Sequence, residues 1–428
     1  MPAARSQLAH LYRRAGFGAL PAELDRAEAL GWGATLEELL AGLNGPGTVA
    51  PPAGLTSFTE ANRGRGNGWD EYINLGGWWI EQMTTTRTPL REKLVLLLHC
   101  QFPTAYDKVG YASLMYRQNV IFRTLGPGPF NVLTKAVSQD PAMLIWLDTG
   151  TDEKYDPNEN FARELMERFT MGVGTYTEED VRQSARAFTG WALDWNTGKF
   201  RIYEWDHDYG RKHFLGHVGD LSGDDVVEIV THTPVSARWV TSRLWSWLAY
   251  PVTPADPVVA ELAPGYATDL NVANLLRAIL THPLFVAPAS RQGLVKQPIE
   301  WVAGTMRAFG LSTASFRKQG KADYLHYVLS QLGQVPFDPP NVGGWGDNDY
   351  WLSTAASLAQ LDFALTVSEV ADLSEIERPP VALRAEALAN LLSIDGWSNE
   401  TLAALNHVRH VTPELVTLGL VSPEYLAN

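Results

Sequence analysis

The stretch Asp156–Gly174, DPNENFARELMERFTMGVG, indicates the fold more clearly than any other part of the chain. If Asn158 caps a helix that begins at Glu159, a rotation of about 100° per residue separates the side chains into two halves. The polar half holds Glu159, Asn160, Arg163, Glu164, Glu167 and Arg168, and the apolar half holds Phe161, Ala162, Leu165, Met166 and Phe169. This division predicts an amphipathic helix whose apolar side is buried.

The same helical spacing recurs along most of the chain, with caps and Gly or Pro residues between segments. We predict helices near residues 4–15, 21–30, 34–42, 69–86, 89–102, 109–125, 129–138, 159–171, 178–193, 223–231, 234–249, 271–281, 291–309 and 321–332. The expected fold is therefore mainly α, a multi-helical single body with one small β-hairpin. The helix that follows Asn158 is expected at its centre.

Three regions depart from helical spacing. Residues 44–68 are rich in Gly, Pro and Asn and predict a long surface loop, which includes Arg63–Gly68. Apolar and polar side chains alternate after residue 199 and lead into a glycine-containing turn, which predicts a β-hairpin over 199–216. Prolines and glycines predict a rigid aromatic loop at 336–352, near the 44–68 loop. We expect residues 1–372 to form the helical body and 373–428 a C-terminal helical extension.

Composition narrows the class of protein. Hydrophobic residues make up 45% and charged residues 19%, which is typical of a globular protein. The acidic net charge of −14 argues against a nucleic-acid partner, which would need clustered Lys and Arg. The single cysteine, Cys100, excludes an intrachain disulfide and a cysteine-based zinc site. The chain is tryptophan-rich, with 15 tryptophans, which serve either as core bulk or as stacking platforms for planar ligands.

The N-terminal residues lack the apolar run of a secretory signal, so the chain as given is expected to be cytoplasmic, or exported if a leader has been removed. No stretch approaches 18 uncharged apolar residues. We therefore predict a soluble protein without a membrane span.

Several short motifs occur in a fixed order along the chain. They are His10–Gly18 (HLYRRAGFG), Gln139–Leu144 (QDPAML), Asn158–Gly174, Ala187–Trp191 (AFTGW), His207–Gly216 (HDYGRKHFLG) and Pro339–Trp345 (PPNVGGW). Together they resemble the bacterial family catalogued as domain of unknown function 1800, from about residue 8 to about residue 365. That resemblance implies no reaction.

The resemblance implies two further expectations. Members are often exported and encoded beside an alkaline-phosphatase-like protein, which makes a protein of that type a candidate partner. Members also commonly show His-Asn-His-Phe where this chain has His99-Cys100-Gln101-Phe102. If that histidine pair is a metal clamp in relatives, Gln101 leaves it incomplete here.

Glu164 and Glu167 are the candidate catalytic groups. One carboxyl kept neutral by burial and one kept ionised by Arg163 would divide into acid and base. Glycoside hydrolysis needs such a pair, about 5–5.5 Å apart for retention and about 6.5–9.5 Å for inversion. Because carboxylates three residues apart point side by side, one of them would suit a more distant partner such as Asp208. The other candidates are His207 as a catalytic group and, as substrate-binding groups, Asn158, Asn160, Arg163, Lys212, Trp191 and Trp345.

A second hypothesis is a divalent metal held by His99, His207 and either Glu164 or Glu167, which would supply mixed nitrogen and oxygen ligands. No HExxH or EF-hand pattern occurs, so the sequence predicts no cofactor by itself. A lone histidine in an apolar helix is more often part of the core. A third hypothesis places a phosphate or sulfate on the turn around Arg211 and Lys212, with a solvated hairpin tip as the alternative.

Two classes of function therefore stay open. The first is a hydrolase acting on a saccharide or related polar polymer, with a carbohydrate as ligand. The second is a non-catalytic binding or assembly protein in which the same polar residues fix the fold. Burial separates the two, because a catalytic face opens into a pocket and holds a shifted carboxyl, whereas a structural face is saturated by Arg and backbone partners.

Overall fold

A computed structural model describes residues 4–45, 47–58, 68–151, 153–317 and 323–428. The N-terminal helices are α1 Arg5–Arg14, α2 Pro21–Leu30, α3 Trp32–Ala41, α4 Gly68–Thr85, α5 Pro89–Gln101, α6 Tyr106–Val109, α7 Ala112–Leu125, α8 Phe130–Ser138 and α9 Pro141–Trp146. The central helices are α10 Glu159–Glu164, a π-helix Leu165–Thr170, α11 Glu178–Phe188, α12 Gly223–Thr231, α13 Pro234–Leu248, α14 Pro257–Tyr266 and α15 Val272–Thr281.

The C-terminal helices are α16 Pro298–Ala308, α17 Thr313–Arg317, α18 Tyr324–Leu332, α19 Thr354–Val370, α20 Ser374–Glu377, α21 Arg384–Leu391, α22 Asn399–Val408, α23 Thr412–Leu420 and α24 Pro423–Leu426. Single 3₁₀ turns occur at Gly42–Asn44, Thr149–Thr151, Glu204–Asp206, Pro283–Val286, Asn348–Trp351 and Val381–Leu383. The prediction of a mainly α fold is confirmed. No described helix is long and apolar enough to cross a membrane.

In the described part of the chain, four short strands form two antiparallel pairs. β1 Trp191–Asp194 pairs with β2 Lys199–Ile202, and β3 Lys212–Phe214 pairs with β4 His217–Gly219. The predicted region 199–216 thus holds two strands that do not pair with each other. The predicted helix over 178–193 ends early, at Phe188, because Gly190 turns the chain with a φ of 79°. A side chain there would meet the Tyr203 carbonyl at 2.6 Å, so the turn requires glycine.

Parts of two predicted segments lie outside the described residues: positions 46 and 59–67 of the long loop, with Arg63–Asn67, and positions 321–322 of the helix predicted over 321–332. The ends of the two predicted loops meet at Tyr106. Its hydroxyl donates to the Gly68 carbonyl at 2.6 Å, and its backbone N–H donates to the Phe337 carbonyl at 2.8 Å.

The apolar side of α10 and the π-helix is buried in the main hydrophobic core, as predicted. Phe161 packs edge-on against Phe188 of α11, with ring centroids 4.9 Å apart, and Phe169 packs against Phe102 after α5 at 5.3 Å. Ala162, Leu165 and Met166 are completely buried. This packing fixes the polar side of the same turns toward the surface.

Helix α1 is tied to the C-terminal segment. Arg13 donates to the Ser393 carbonyl, and Arg14 donates to the Asn428 carbonyl at 2.9 Å. Both arginines are buried, so these bonds compensate guanidinium groups removed from water. The bonds cross the predicted boundary at residue 372, and the division into a body and an extension stays a prediction.

Candidate functional site

The helix that begins at Glu159 changes from an α-helix to a π-helix about halfway along its length. Asn158 caps α10 by accepting a hydrogen bond from the Asn160 N–H at 2.9 Å, and the helix widens into a π-helix after Glu164. At its end, the N–H groups of Met171 and Gly172 both donate to the Met166 carbonyl, at 2.8 and 3.0 Å. The π-helical segment therefore forms the C-terminal end of this helix.

Side chains from distant helices bind the carbonyls of the π-helix. Gln101 on α5 donates through Nε2 to the Phe169 carbonyl at 2.6 Å and to the Arg168 carbonyl at 3.3 Å. Trp239 on α13 donates through Nε1 to the Arg168 carbonyl at 3.2 Å. Gln101 therefore stabilises the π-helix. The residues around Gln101 in the sequence do not predict this role.

The two candidate carboxylates lie beside one guanidinium. Glu164 Oε2 is 3.9 Å from Arg168 Nε, and Glu167 Oε1 is 3.4 Å from Arg168 Nη2. Glu167 also accepts a hydrogen bond from the Tyr176 hydroxyl at 3.1 Å. Arg168 and Tyr176 were not among the predicted site residues, although Arg168 lies on the same helix and Tyr176 follows that helix closely in sequence.

Glu164 differs from Glu167 in how its carboxyl is satisfied. The Glu164 side chain is 13% exposed, and within the described part of the chain its Oε2 atom is buried and accepts no hydrogen bond. Burial raises the pKa of Glu164 above its usual 4.5. The Glu167 side chain is 22% exposed and has two partners. The two carboxyls therefore differ in their surroundings, because burial favours the protonated form of Glu164 whereas Glu167 has a hydrogen-bond donor and an ion-pair partner.

Three other predicted residues of this helix are used within the protein. Arg163 makes a bidentate pair with Glu178, with both distances at 2.8 Å, and a second pair with Glu159 at 3.0 Å. Asn158 Nδ2 donates to the Asp148 carbonyl at 3.2 Å. Asn160 Nδ2 donates to the Leu147 carbonyl at 3.3 Å. These contacts fix the start of α10 to α11 and to the segment after α9.

His207, Asp208 and Lys212 form a separate network on the strand region. Asp208 is held by Arg186, whose Nε lies 2.7 Å from Oδ2, and this contact lowers the pKa of the Asp208 carboxyl. His207 Nδ1 lies 2.7 Å from the Thr189 carbonyl. Lys212 is fully buried, 3.2 Å from the Asp220 carboxylate. Across the described ranges, no hydrogen bond or ion pair joins this network to Glu164 or Glu167.

The two predicted aromatic platforms are core side chains. Trp191 is buried between Phe188 and Phe200, with both ring centroids 5.0 Å away. Trp345 is buried with its ring centroid 5.2 Å from that of His99. A half-buried tryptophan that contacts the same helix is instead Trp239, which donates to the backbone carbonyl of Arg168; it is distant in sequence and therefore gave no local signal.

His99 lies in an aromatic part of the core, against Trp79, Phe122, Phe337 and Trp345. Burial lowers the pKa of His99 to about 3, so the ring is neutral. Among the residues with described positions, no three His, Cys, Asp or Glu side chains are grouped so that they could hold a metal ion. A divalent metal held by His99, His207 and Glu164 or Glu167 stays a prediction.

Comparison with known proteins gives one match. The sequence model of a family described as "Protein of unknown function (DUF1800)" matches residues 10–427, nearly the whole chain. No curated protein matches the chain, and no solved structure matches it.

Proposed function

Since this chain belongs to the DUF1800 family, whose description supplies no reaction, we propose from the site itself that it is a hydrolase acting on a saccharide or related polar polymer. Glu164 is the general acid, and Glu167 is the general base. The observation that carries the proposal is the buried Oε2 atom of Glu164, which accepts no hydrogen bond among the described residues, beside a carboxylate that has two partners. Most buried side-chain oxygens in proteins are hydrogen-bonded, so this atom is available to a ligand.

The roles follow from the two environments. Because burial favours the protonated form of Glu164, that carboxyl is the one suited to deliver a proton to a leaving oxygen. Glu167 lies beside Arg168 and accepts a hydrogen bond from the Tyr176 hydroxyl, and we assign it the role of accepting a proton from water. Cleavage of a glycosidic bond needs these two transfers.

The polar polymer is suggested by the groups around the pair. Trp239 donates to the backbone carbonyl of Arg168 and is only half-buried, and an aromatic ring of this kind can stack on the apolar face of a sugar. Tyr176 and Arg168 supply hydroxyl and guanidinium groups suited to sugar hydroxyls. A carbohydrate is therefore the first ligand class to test.

The test is hydrolysis of a glycan panel by the wild type, Glu164→Gln, Glu167→Gln and a control, Glu159→Gln, which alters the same helix at the Arg163 pair. Loss of either catalytic group should lower kcat by roughly 10²–10⁴. The control should retain activity. In the wild type, kcat/KM should fall as pH rises through the raised pKa of Glu164, because the acid loses its proton.

The proposal fails if no glycan is cleaved, or if Glu164→Gln folds normally and cleaves as fast as the wild type. A thermal-shift measurement on the same variants separates lost chemistry from lost folding. A glutamine variant that binds glycan, keeps its melting temperature and lacks turnover supports the assigned roles.

A second candidate function, a non-catalytic binding or assembly protein, is supported by the saturated contacts of the other predicted residues. Arg163, Asp208 and Lys212 each pair with an oppositely charged side chain of the protein. The candidate partner is the alkaline-phosphatase-like type implied by the family resemblance. Complex formation in size-exclusion chromatography with light scattering, unchanged in Glu164→Gln, would favour this function, and two separate peaks would count against it.

A further inference from the structure

A cavity of about 210 Å³ lies away from the two carboxylates already described. Its walls come from α13, the start of α16, the loop at Asp347 and Asn348, and Asn428. The side chains that matter for recognition are Arg243, Trp247, Glu300, Asp347 and Asn428. None of them was a candidate in the sequence, because they are brought together from four distant segments.

The deep part of the cavity presents acceptors. Glu300 is 7% exposed and Asn428 is 4% exposed. Glu300 pairs with Lys93 through one oxygen, and its other oxygen accepts hydrogen bonds from the Gln297 N–H at 3.3 Å and from Asn428 Nδ2 at 3.4 Å. Among the described residues, the Asn428 Oδ1 atom is buried and has no hydrogen-bond partner. A buried acceptor without a partner is unfavourable, so a hydrogen-bond donor is the chemical complement of this end of the cavity.

The more exposed end of the cavity holds a positive charge, on the Arg243 guanidinium. The Arg243 side chain is 28% exposed, and its guanidinium lies 4.4 Å from the centroid of the Trp247 ring. Asp347 is half exposed and only 3.4 Å from Arg243, while it also accepts a hydrogen bond from Trp247 Nε1 at 3.2 Å. The guanidinium is therefore positioned by a ring and still has N–H groups for an entering anion.

We propose that this cavity binds a small amino acid, with its ammonium group on Glu300 and Asn428 and its carboxylate on Arg243. An ammonium has three donors and no acceptor, which matches the deep end. A carboxylate matches a guanidinium, and the pairing adds geometric specificity. The size of the cavity suits a short side chain. The site is independent of Glu164 and Glu167, so it can exist whether or not the chain is a hydrolase.

The test begins with thermal shift of the full chain in the presence of each of the common L-amino acids. Calorimetry then compares the amino acid that binds most tightly with two of its parts, the amine that lacks the carboxylate and the acid that lacks the ammonium. We expect one or more small amino acids to raise the melting temperature, and both parts to bind at least about tenfold more weakly.

Variants separate the two ends of the site. Arg243→Gln should weaken amino-acid binding by about tenfold or more and leave binding of the amine unchanged, because only the carboxylate contact is lost. Asn428→Ala should weaken both ligands. Arg238→Gln, on the same helix but outside the cavity, is the matched control and should bind like the wild type.

Three results would overturn the proposal: no amino acid stabilises the wild type, the amine binds as tightly as the amino acid, or Arg243→Gln binds like Arg238→Gln. Because both arginine variants change a partly exposed side chain, each should fold. A normal melting temperature for the free Arg243→Gln variant verifies this.

Discussion

Asp140 should make the protein less stable as pH rises, and Asp140→Asn should remove that effect. Asp140 caps α9 and is buried. Its Oδ2 atom accepts hydrogen bonds from Gln118 Nε2 at 2.9 Å and from the Met143 N–H at 3.3 Å. Its Oδ1 atom is buried without a partner among the described residues. Burial raises the pKa of this carboxyl from 3.8 to about 7.

The size of the effect follows from that shift. In the unfolded chain the carboxyl loses its proton near pH 3.8, whereas in the folded chain it keeps the proton to about pH 7. Between these two pH values the folded chain holds a proton that the unfolded chain has released, so the free energy of unfolding falls as pH rises. The fall is about 1.4 kcal/mol for each pH unit, or about 4 kcal/mol between the two pKa values. Asparagine caps helices as well as aspartate but does not titrate.

The assay is chemical denaturation of the wild type and Asp140→Asn from about pH 4 to about pH 8. The free energy of unfolding of the wild type, minus that of the variant, should fall by about 4 kcal/mol across this range. Asp256→Asn is the matched control, since Asp256 also precedes a proline at a helix start. Hydrogen bonds from Thr253 lower the pKa of Asp256, so its contribution should instead be lost as pH falls.

A difference between wild type and Asp140→Asn that stays constant with pH would refute the reasoning. So would a difference that increases with pH, because Asp140 would then be ionised and stabilised in the folded protein. Using the difference between two proteins cancels the titration of all other groups, provided that they are too distant to couple to Asp140.

Three further predictions concern packing and metal dependence. Lys93→Met should lower the free energy of unfolding by about 3–5 kcal/mol, because the buried Glu300 carboxylate loses its paired lysine. The double variant Lys93→Met/Glu300→Met should regain part of that stability in chemical denaturation, and a double variant no more stable than Lys93→Met would contradict this. Gly172→Ala should lower the free energy of unfolding by at least about 1 kcal/mol, since φ of Gly172 is 84° and a Cβ atom would lie 2.8 Å from the Trp239 ring. An unchanged melting temperature would show that the end of the π-helix tolerates a side chain. Dialysis against EDTA should leave the melting temperature unchanged, and a fall reversed by one divalent ion would instead show that the folded protein binds a metal ion.

The helical pattern could be predicted because it is local. In α10, the apolar residues recur at the spacing of one helix face, and burial of Phe161, Leu165 and Phe169 follows from that spacing. Asn158 was predicted as the cap from its position before the first helical turn, and it caps the helix through the Asn160 N–H. These features depend on residues within a few positions of one another.

The candidate site could be predicted only in part. Glu164 and Glu167 were placed correctly on the polar side of the helix, where both lie near Arg168. The sequence did not show that Arg163 forms an ion pair with Glu178 or that Asp208 forms an ion pair with Arg186. Such pairs form between separate elements, so periodicity along one element carries no information about them.

The mainly helical fold, the amphipathic helix after Asn158 and the family could all be read from the sequence, because each depends on local spacing or on motifs in a fixed order. The π-helix and the environment of Glu164 depend instead on contacts between distant parts of the chain. Gln101 and Trp239 bind the Arg168 carbonyl from 67 and 71 residues away, and their contacts compensate the altered hydrogen bonding of the wider turn. Whether a carboxyl keeps its proton likewise depends on which distant side chains exclude water from it, and only the packed chain brings those side chains together.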